Sequence, residues 1–298
     1  MRVLVTGSKG FVGQWLIAHL QDSGDDVTGI DTEVDITEPA ALREVVVTAA
    51  PEAVCHLAAL ASVGASWGAS QATYEVNTVG TANLIDAALA CRDRPRVLLV
   101  SSSEVYGRVS PSDLPLGEDR PFAPVSPYAA SKAAAEMIGL QAWLGSGLEV
   151  VRARPFNHTG PGQRPDFVVP ALAEQIATAL SGGADRLSTG NLEARRDISD
   201  VRDVVRAYRR LLVAGRAGQV YNICRGEAVS IRHIAERLLA LAGADLPIVV
   251  DPDRVRPVEI PELRGDRSRL EEETGWRPEI PLDDTLRDVL AFWQRRSG

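Results

Sequence analysis

The sequence predicts an α/β protein, a doubly wound parallel sheet followed by a smaller C-terminal lobe. Three observations predict it. Short β-branched runs alternate with helix-compatible segments over residues 1–155, and strands alternating with helices of that length imply parallel pairing. Three glycines punctuate the join between the first strand and the first helix. Beyond Arg154 the alternation gives way to irregular, Pro- and Gly-rich sequence (RPFNHTGPGQRPDF).

Residues 2–6 (RVLVT) read as the first strand, and Val12, Leu16 and Leu20 at helical spacing as the first helix. The alternation continues with strands in DDVTGID from Asp25, AVCHLAAL from Ala53, RVLLVSSS from Arg96 and LEVVRARP from Leu148. Helices are expected over 81–90 and 129–144. A helix over about 170–180 opens the second lobe, and the apolar run 220–223 is expected to return to the main sheet. The expected division is therefore residues 1–155, with a returning segment of about 197–225, as one unit, and about 156–196 with 226–298 as the other.

The glycines stand as T-G-S-K-G-F-V-G. Gly7 permits a tight turn, Gly10 lets the backbone approach a pyrophosphate, and Gly13 lets the helix pack on the sheet. Amides at the helix start, Phe11 and Val12, would face that anion. Such a loop is weak alone, but here the second strand ends at Asp31, whose carboxylate suits the two hydroxyls of an adenosine ribose. Asp35 and Ile36 are placed to reach the adenine edge. These features predict a Rossmann-type dinucleotide site. Asp31 should repel a 2′-phosphate and Thr32 adds no positive charge, so NAD(H) is favoured, with NADP(H) possible.

The strand ending at Val100 runs into Ser101, Ser102, Ser103 and Glu104, so hydroxyls gather at the carboxyl end of a parallel strand, where such sheets bind ligands. S-P-Y-A-A-S-K follows, with Pro127 at a helix start and Tyr128 and Lys132 four residues apart on one face. A free phenol ionises near pH ~10, and a neighbouring ammonium is expected to lower that value. Ser102 could hold a substrate oxygen while Tyr128 exchanges its proton, Lys132 tunes it and Glu104 stands by as an additional acid or base. His56, in an apolar strand, reads as structural, and His158 is left open.

T-G-x-x-G-F-V-G, H-L-A-A, S-S-S-E-V-Y-G and S-P-Y-A-A-S-K together resemble the extended short-chain dehydrogenases/reductases that modify nucleotide sugars. Within them, R-P-F-N-H-T-G-P-G-Q, G-N-L-E-A-R-R-D-I-S-D-V-R-D, R-P-V-E-I-P-E-L and T-G-W-R-P-E-I-P-L are most similar to the GDP-4-dehydro-6-deoxy-mannose reductases, with GDP-mannose 4,6-dehydratases the nearest competitor. The resemblance implies catalysis by Ser102, Tyr128 and Lys132. It also implies cofactor contacts at Leu57, Ala58 and Ala59, and substrate contacts at Ser103, Asn157, Arg196, Arg256 and Glu259, the two arginines on a diphosphate. Arg195 competes with Arg196, because adjacent residues of an extended chain face opposite ways. The implied reaction is NAD(P)H-dependent reduction of a GDP-linked 4-keto-6-deoxy sugar, and the implied assembly is a homodimer through the two helices named above.

Composition narrows the classes further. A net charge of −8 disfavours nonspecific nucleic-acid binding. No apolar run approaches the roughly 18 residues needed to cross a bilayer, so a cytoplasmic enzyme without membrane partners is expected. Cys55, Cys91 and Cys224 are odd in number and widely spaced, which suits reduced thiols. The four histidines lack metal-ligand spacing, so no metal is expected.

Overall fold

The computed structural model describes residues 1–254 and 260–297. The first half builds strand–helix units in series: β1 (Arg2–Thr6), α1 (Phe11–Asp22), β2 (Asp26–Ile30), α2 (Pro39–Ala49) and β3 (Ala53–His56). Next come the short α3 (Val63–Ser66) and α4 (Ser70–Tyr74), a π-helical turn (Glu75–Val79), α5 (Gly80–Leu89), β4 (Arg96–Val100), α6 (Pro127–Ser146) and β5 (Val150–Pro155). The second half comprises β6 (Asn157–Thr159), α7 (Val168–Leu180), β7 (Leu187–Thr189), β8 (Arg195–Asp200), α8 (Val201–Ala214), β9 (Val220–Ile223) and β10 (Ala228–Ser230). It ends with α9 (Ile231–Ala242), β11 (Ile248–Val250), β12 (Glu262–Leu263), α10 (Ser268–Thr274) and α11 (Leu282–Ser297).

The main sheet runs β2-β1-β3-β4-β5-β9, and every neighbouring pair is parallel. Its order reverses between β1 and β3, which opens a crevice at the carboxyl ends of those strands. One face buries Leu16 and Leu20 of α1 with Val204, Tyr208 and Leu211 of α8. The other buries Leu42 and Val46 of α2, Leu84 of α5 and Ala142 of α6. Helices on both faces make the sheet doubly wound, and strands covered on both sides read as continuous apolar runs, as RVLLV in β4 does.

The smaller lobe has its own core, in which Leu172 and Ile176 of α7 meet Ile234 and Leu238 of α9 and Leu286 and Val289 of α11. Its sheet centres on β8, antiparallel to β10 and parallel to both β6 and β12. A separate parallel pair joins β7 and β11.

Two expectations need adjustment. The returning segment was expected from about residue 197, but residues 195–200 stay in the smaller sheet as β8, and the return begins with α8. Residues past 226 were all expected in the smaller lobe. Leu270 of α10 and Trp276 instead bury in the larger core, with Trp276 Nε1 donating 3.0 Å to the Asp203 carbonyl. A fully buried large apolar side chain contributes about 1.5–3 kcal/mol, so this segment belongs energetically to the main sheet.

Candidate active site

β1 delivers the chain to Gly7, whose φ of +70° favours glycine. A Cβ there would stand 2.8 Å from the Ala58 nitrogen, because residues 57 and 58 cross directly over the turn. Leu57 N donates to the Thr6 carbonyl at 3.2 Å, and Ala58 N to Thr6 Oγ1 at 3.1 Å. At Gly13 a Cβ would lie 2.2 Å from the Gly7 carbonyl oxygen, so the loop closes on α1 only with glycine at that position. Gly10 is the N-cap of α1, and no side chain among the described residues caps the helix. Its first amides, including those of Phe11 and Val12, are thus directed at an anion site beside the switch point. This cradle fits a dinucleotide pyrophosphate.

Asp31 follows β2 directly; its carboxylate accepts from Lys9 N at 2.8 Å and from Thr32 N at 2.9 Å. Asp35 accepts from Thr37 N at 2.9 Å and Thr37 Oγ1 at 2.8 Å, and Ile36 is buried beneath Gly80. Lys9 and its partner Glu33 were not singled out from the sequence. Only the return of β2 alongside β1 brings them together, with Lys9 Nζ 2.7 Å from Glu33 Oε2.

The chemistry-bearing side chains meet between β4 and α6. Ser126 caps α6 by accepting from Ala129 N, Pro127 occupies the first turn, and Tyr128 N donates to Ser66 Oγ at 3.3 Å. Ser102 stands beside the Tyr128 side chain, and its Oγ accepts from Glu104 N at 3.2 Å. Lys132, one turn along, is buried and donates from Nζ to the Val100 carbonyl at 2.8 Å. Ser103 and Glu104 are buried in the helical turn after β4.

The expected lowering of the Tyr128 pKa by Lys132 is not found. Burial pushes the phenol up to about 12; the Ser102 hydroxyl beside it opposes this and the Glu104 charge adds to it. Burial also pushes Lys132 down to about 8, and its ammonium is held at the end of β4 by a carbonyl.

A buried network braces α6 from beneath. Glu136, one turn past Lys132, takes Arg154 Nη2 at 2.6 Å and Nε at 2.9 Å, and Arg152 Nη1 at 3.4 Å. Arg154 Nη1 donates to Tyr106 OH at 2.9 Å, which donates to Asn222 Oδ1 at 2.7 Å. A carboxylate this deep costs several kcal/mol unless paired, so the two arginines hold the helix in register with β5. Asn77, in the π-helical turn, donates to Ser131 Oγ at 2.9 Å, and Ser131 Oγ to the Tyr128 carbonyl at 2.7 Å. Neither Glu136 nor Asn77 was legible as part of the site, because an acid or an amide inside a helical segment carries no local mark of burial.

Beyond β5, β6 pairs Asn157 with Ile198, two residues beyond Arg196 on β8. Arg196 is buried, with Nη1 donating 2.8 Å to each of the Arg195 and Ile260 carbonyls. Arg195 points outward, 3.2 Å from Glu262 Oε2. The two arginines thus do face opposite ways. Arg256 and Glu259 lie outside the described residues. His158 stacks on Phe11 at 6.4 Å and its Nδ1 lies 3.0 Å from the Phe156 carbonyl, while His56 bridges Thr6 at 2.8 Å and Thr81 at 3.1 Å. Burial pushes His56 down to about 3, a neutral ring suited to a structural bridge. All three cysteines are free and buried. Among the described residues there is no candidate metal cluster, and no helix is long and apolar enough to cross a membrane.

Comparison with known proteins follows the same lines. Residues 32–289 match the model of the GDP-mannose 4,6 dehydratase family. The chain is 41% identical to GDP-6-deoxy-D-mannose reductase of Pseudomonas aeruginosa over 99% of its own length and 98% of that protein's. It superposes on the structure of RMD from Pseudomonas aeruginosa complexed with NADPH with a TM-score of 0.92, at 40% identity and 99% coverage of both chains. It also superposes on a Thermus thermophilus UDP-glucose 4-epimerase complex with NAD, with a TM-score of 0.90, at 27% identity and 99% coverage of both.

Proposed function

The chain belongs to the GDP-mannose 4,6 dehydratase family, and on that premise we propose that it is a nucleotide-sugar reductase, converting a GDP-linked 4-keto-6-deoxy-hexose to the 4-hydroxy sugar. The observation that carries this reading is the gathering of Ser102, Tyr128 and the buried Lys132 between β4 and α6, in a chain alike along nearly its full length to a reductase.

The glycine cradle from Gly7 to Gly13 would hold the pyrophosphate, Asp31 the adenosine ribose, and residues 57–59 the dinucleotide along the crevice. A bound dihydronicotinamide supplies hydride to a carbonyl carbon. Ser102 donates a hydrogen bond to the carbonyl oxygen and positions it against Tyr128. With its pKa near 12, Tyr128 carries its proton throughout the neutral range, the state reduction requires. Proton transfer to the sugar oxygen leaves a phenolate, which the Lys132 ammonium stabilises until solvent reprotonates it. Arg196, with Arg256 beyond it in sequence, would anchor the diphosphate, a guanidinium task by geometry and charge. Asn157 and Ser103 would contact the sugar, and Glu259 the nucleotide ribose.

A second reading is favoured by one observation. Glu104 acts on Tyr128 through its charge, and a carboxylate so placed could take the C5 proton that 4,6-dehydration requires. The two readings separate in one assay. A reductase consumes NADH or NADPH stoichiometrically with GDP-4-keto-6-deoxy-mannose and leaves GDP-mannose untouched in NAD or NADP. Conversion of GDP-mannose to a keto sugar without net cofactor use would assign Glu104 as the base and overturn the reductase.

A homodimer is part of the same proposal. Met137 and Leu144 on α6, with Val79 and Tyr74 ahead of α5, expose large apolar side chains that a second copy could cover.

A further inference from the structure

At the end of β2 Asp31 does not act alone. The Lys9 amide engages Asp31 Oδ2 at 2.8 Å, Asp31 N donates to Glu33 Oε1 at 3.0 Å, and Lys9 Nζ donates to Glu33 Oε2 at 2.7 Å. Lys9 is the sole Lys or Arg between Gly7 and Arg43 in the sequence, whereas Asp31, Glu33 and Asp35 alternate over five residues. Within this segment Lys9 is therefore the one cation available to a phosphate on the adenosine ribose. Each partner holds the other charged, Glu33 raising Lys9 and Lys9 lowering Glu33.

We propose that the Lys9–Glu33 pair sets cofactor choice: Glu33 retains the ammonium, so a free 2′-hydroxyl is preferred to a 2′-phosphate, and neutralising Glu33 releases Lys9 to that phosphate. The inference rests on the dinucleotide-binding reading above and adds to it two residues outside the glycine pattern. The charge count is what decides. A 2′-phosphate approaching Asp31 meets Lys9, Asp31 and Glu33 together, a net of −1, and Lys9 can pair with it only by abandoning Glu33. With Gln at residue 33 the local sum is zero and the ammonium has no competing carboxylate but Asp31. Both side chains are largely exposed, so salt screens the effect and it should be moderate.

The test is fluorescence titration of the full chain with NADH and NADPH, for the wild type, Glu33→Gln, Lys9→Met and the double variant. The wild type should bind NADH more tightly. Glu33→Gln should lower the Kd for NADPH by about tenfold, as a new charge-assisted contact would, with NADH changed by less than about twofold. The gain should vanish in the double variant and shrink in roughly 0.5 M NaCl. Wild-type preference for NADPH, an unaltered NADPH Kd in Glu33→Gln, or a gain that survives loss of Lys9 would each overturn the proposal. If neither dinucleotide binds the wild type, the dinucleotide reading fails along with it.

Discussion

The proposed cofactor side and the proposed substrate side of the crevice are assembled in different ways. Gly7, Gly10 and Gly13 lie within one strand–turn–helix, and Tyr128 and Lys132 within one turn of a helix capped by Ser126. Arg196 has no such local frame. Its strand is positioned by β6, β10 and β12, which are distant in sequence, and its guanidinium is held by the carbonyl of Ile260. The residues proposed for proton transfer thus sit on local units, and the proposed anion anchor depends on long-range pairing. Substitutions on the two sides should consequently fail differently.

The largest effect is expected at Tyr128. Tyr128→Phe removes the proton donor but keeps the ring, so turnover should fall by about 100-fold or more while dinucleotide binding, followed by fluorescence, persists. Near-normal rates would shift the acid to Glu104 and erase the distinction between the two sides. Next comes the arginine pair. Arg196→Ala should weaken nucleotide-sugar affinity by about 1.5–3 kcal/mol, while Arg195→Ala, on the outward face, changes it by only a few tenths. Calorimetric titration with the GDP sugar reads both, and equal losses would show that β8 is damaged as a whole.

Smaller than the loss expected at Arg196 is the effect of pH. Lys132 titrates near 8 and Tyr128 near 12, so on raising the pH through 8 the ammonium is lost while the phenol keeps its proton. The rate of reduction should therefore decline a few-fold between about pH 7 and pH 9. A profile flat across that interval would separate Lys132 from the rate-determining proton transfer.

Legibility in the sequence followed the same division. Strand runs, the glycine turn and the capped helix were readable because each is fixed by neighbours a few residues away. α6 starts at Pro127, where the sequence offers a helix start, and runs past its expected limit of 144 because Gly147, at φ +67°, ends it later. The Glu136–Arg154–Tyr106–Asn222 network was not readable, since its members are scattered over more than 100 residues and each alone resembles an ordinary surface polar group. Lys9 and Glu33 were missed for the opposite reason. They look like unremarkable loop charges until β1 and β2 are laid side by side. The Tyr128 pKa was misjudged because helical spacing gives the distance between two side chains but not how deeply burial isolates them.

The burial of Trp276 beneath the main sheet bears on the order in which the chain is made. The glycine turn, the serines after β4 and the helix carrying Tyr128 are all translated by residue 146, but the sheet edge they rest on is supplied by residues 220–223 and part of its underside by residues 270 and 276. A nascent chain holds every side chain proposed for proton transfer long before it can enclose the core that supports them. Completion of the larger unit is therefore a late event in synthesis, tied to segments interleaved with those of the smaller lobe.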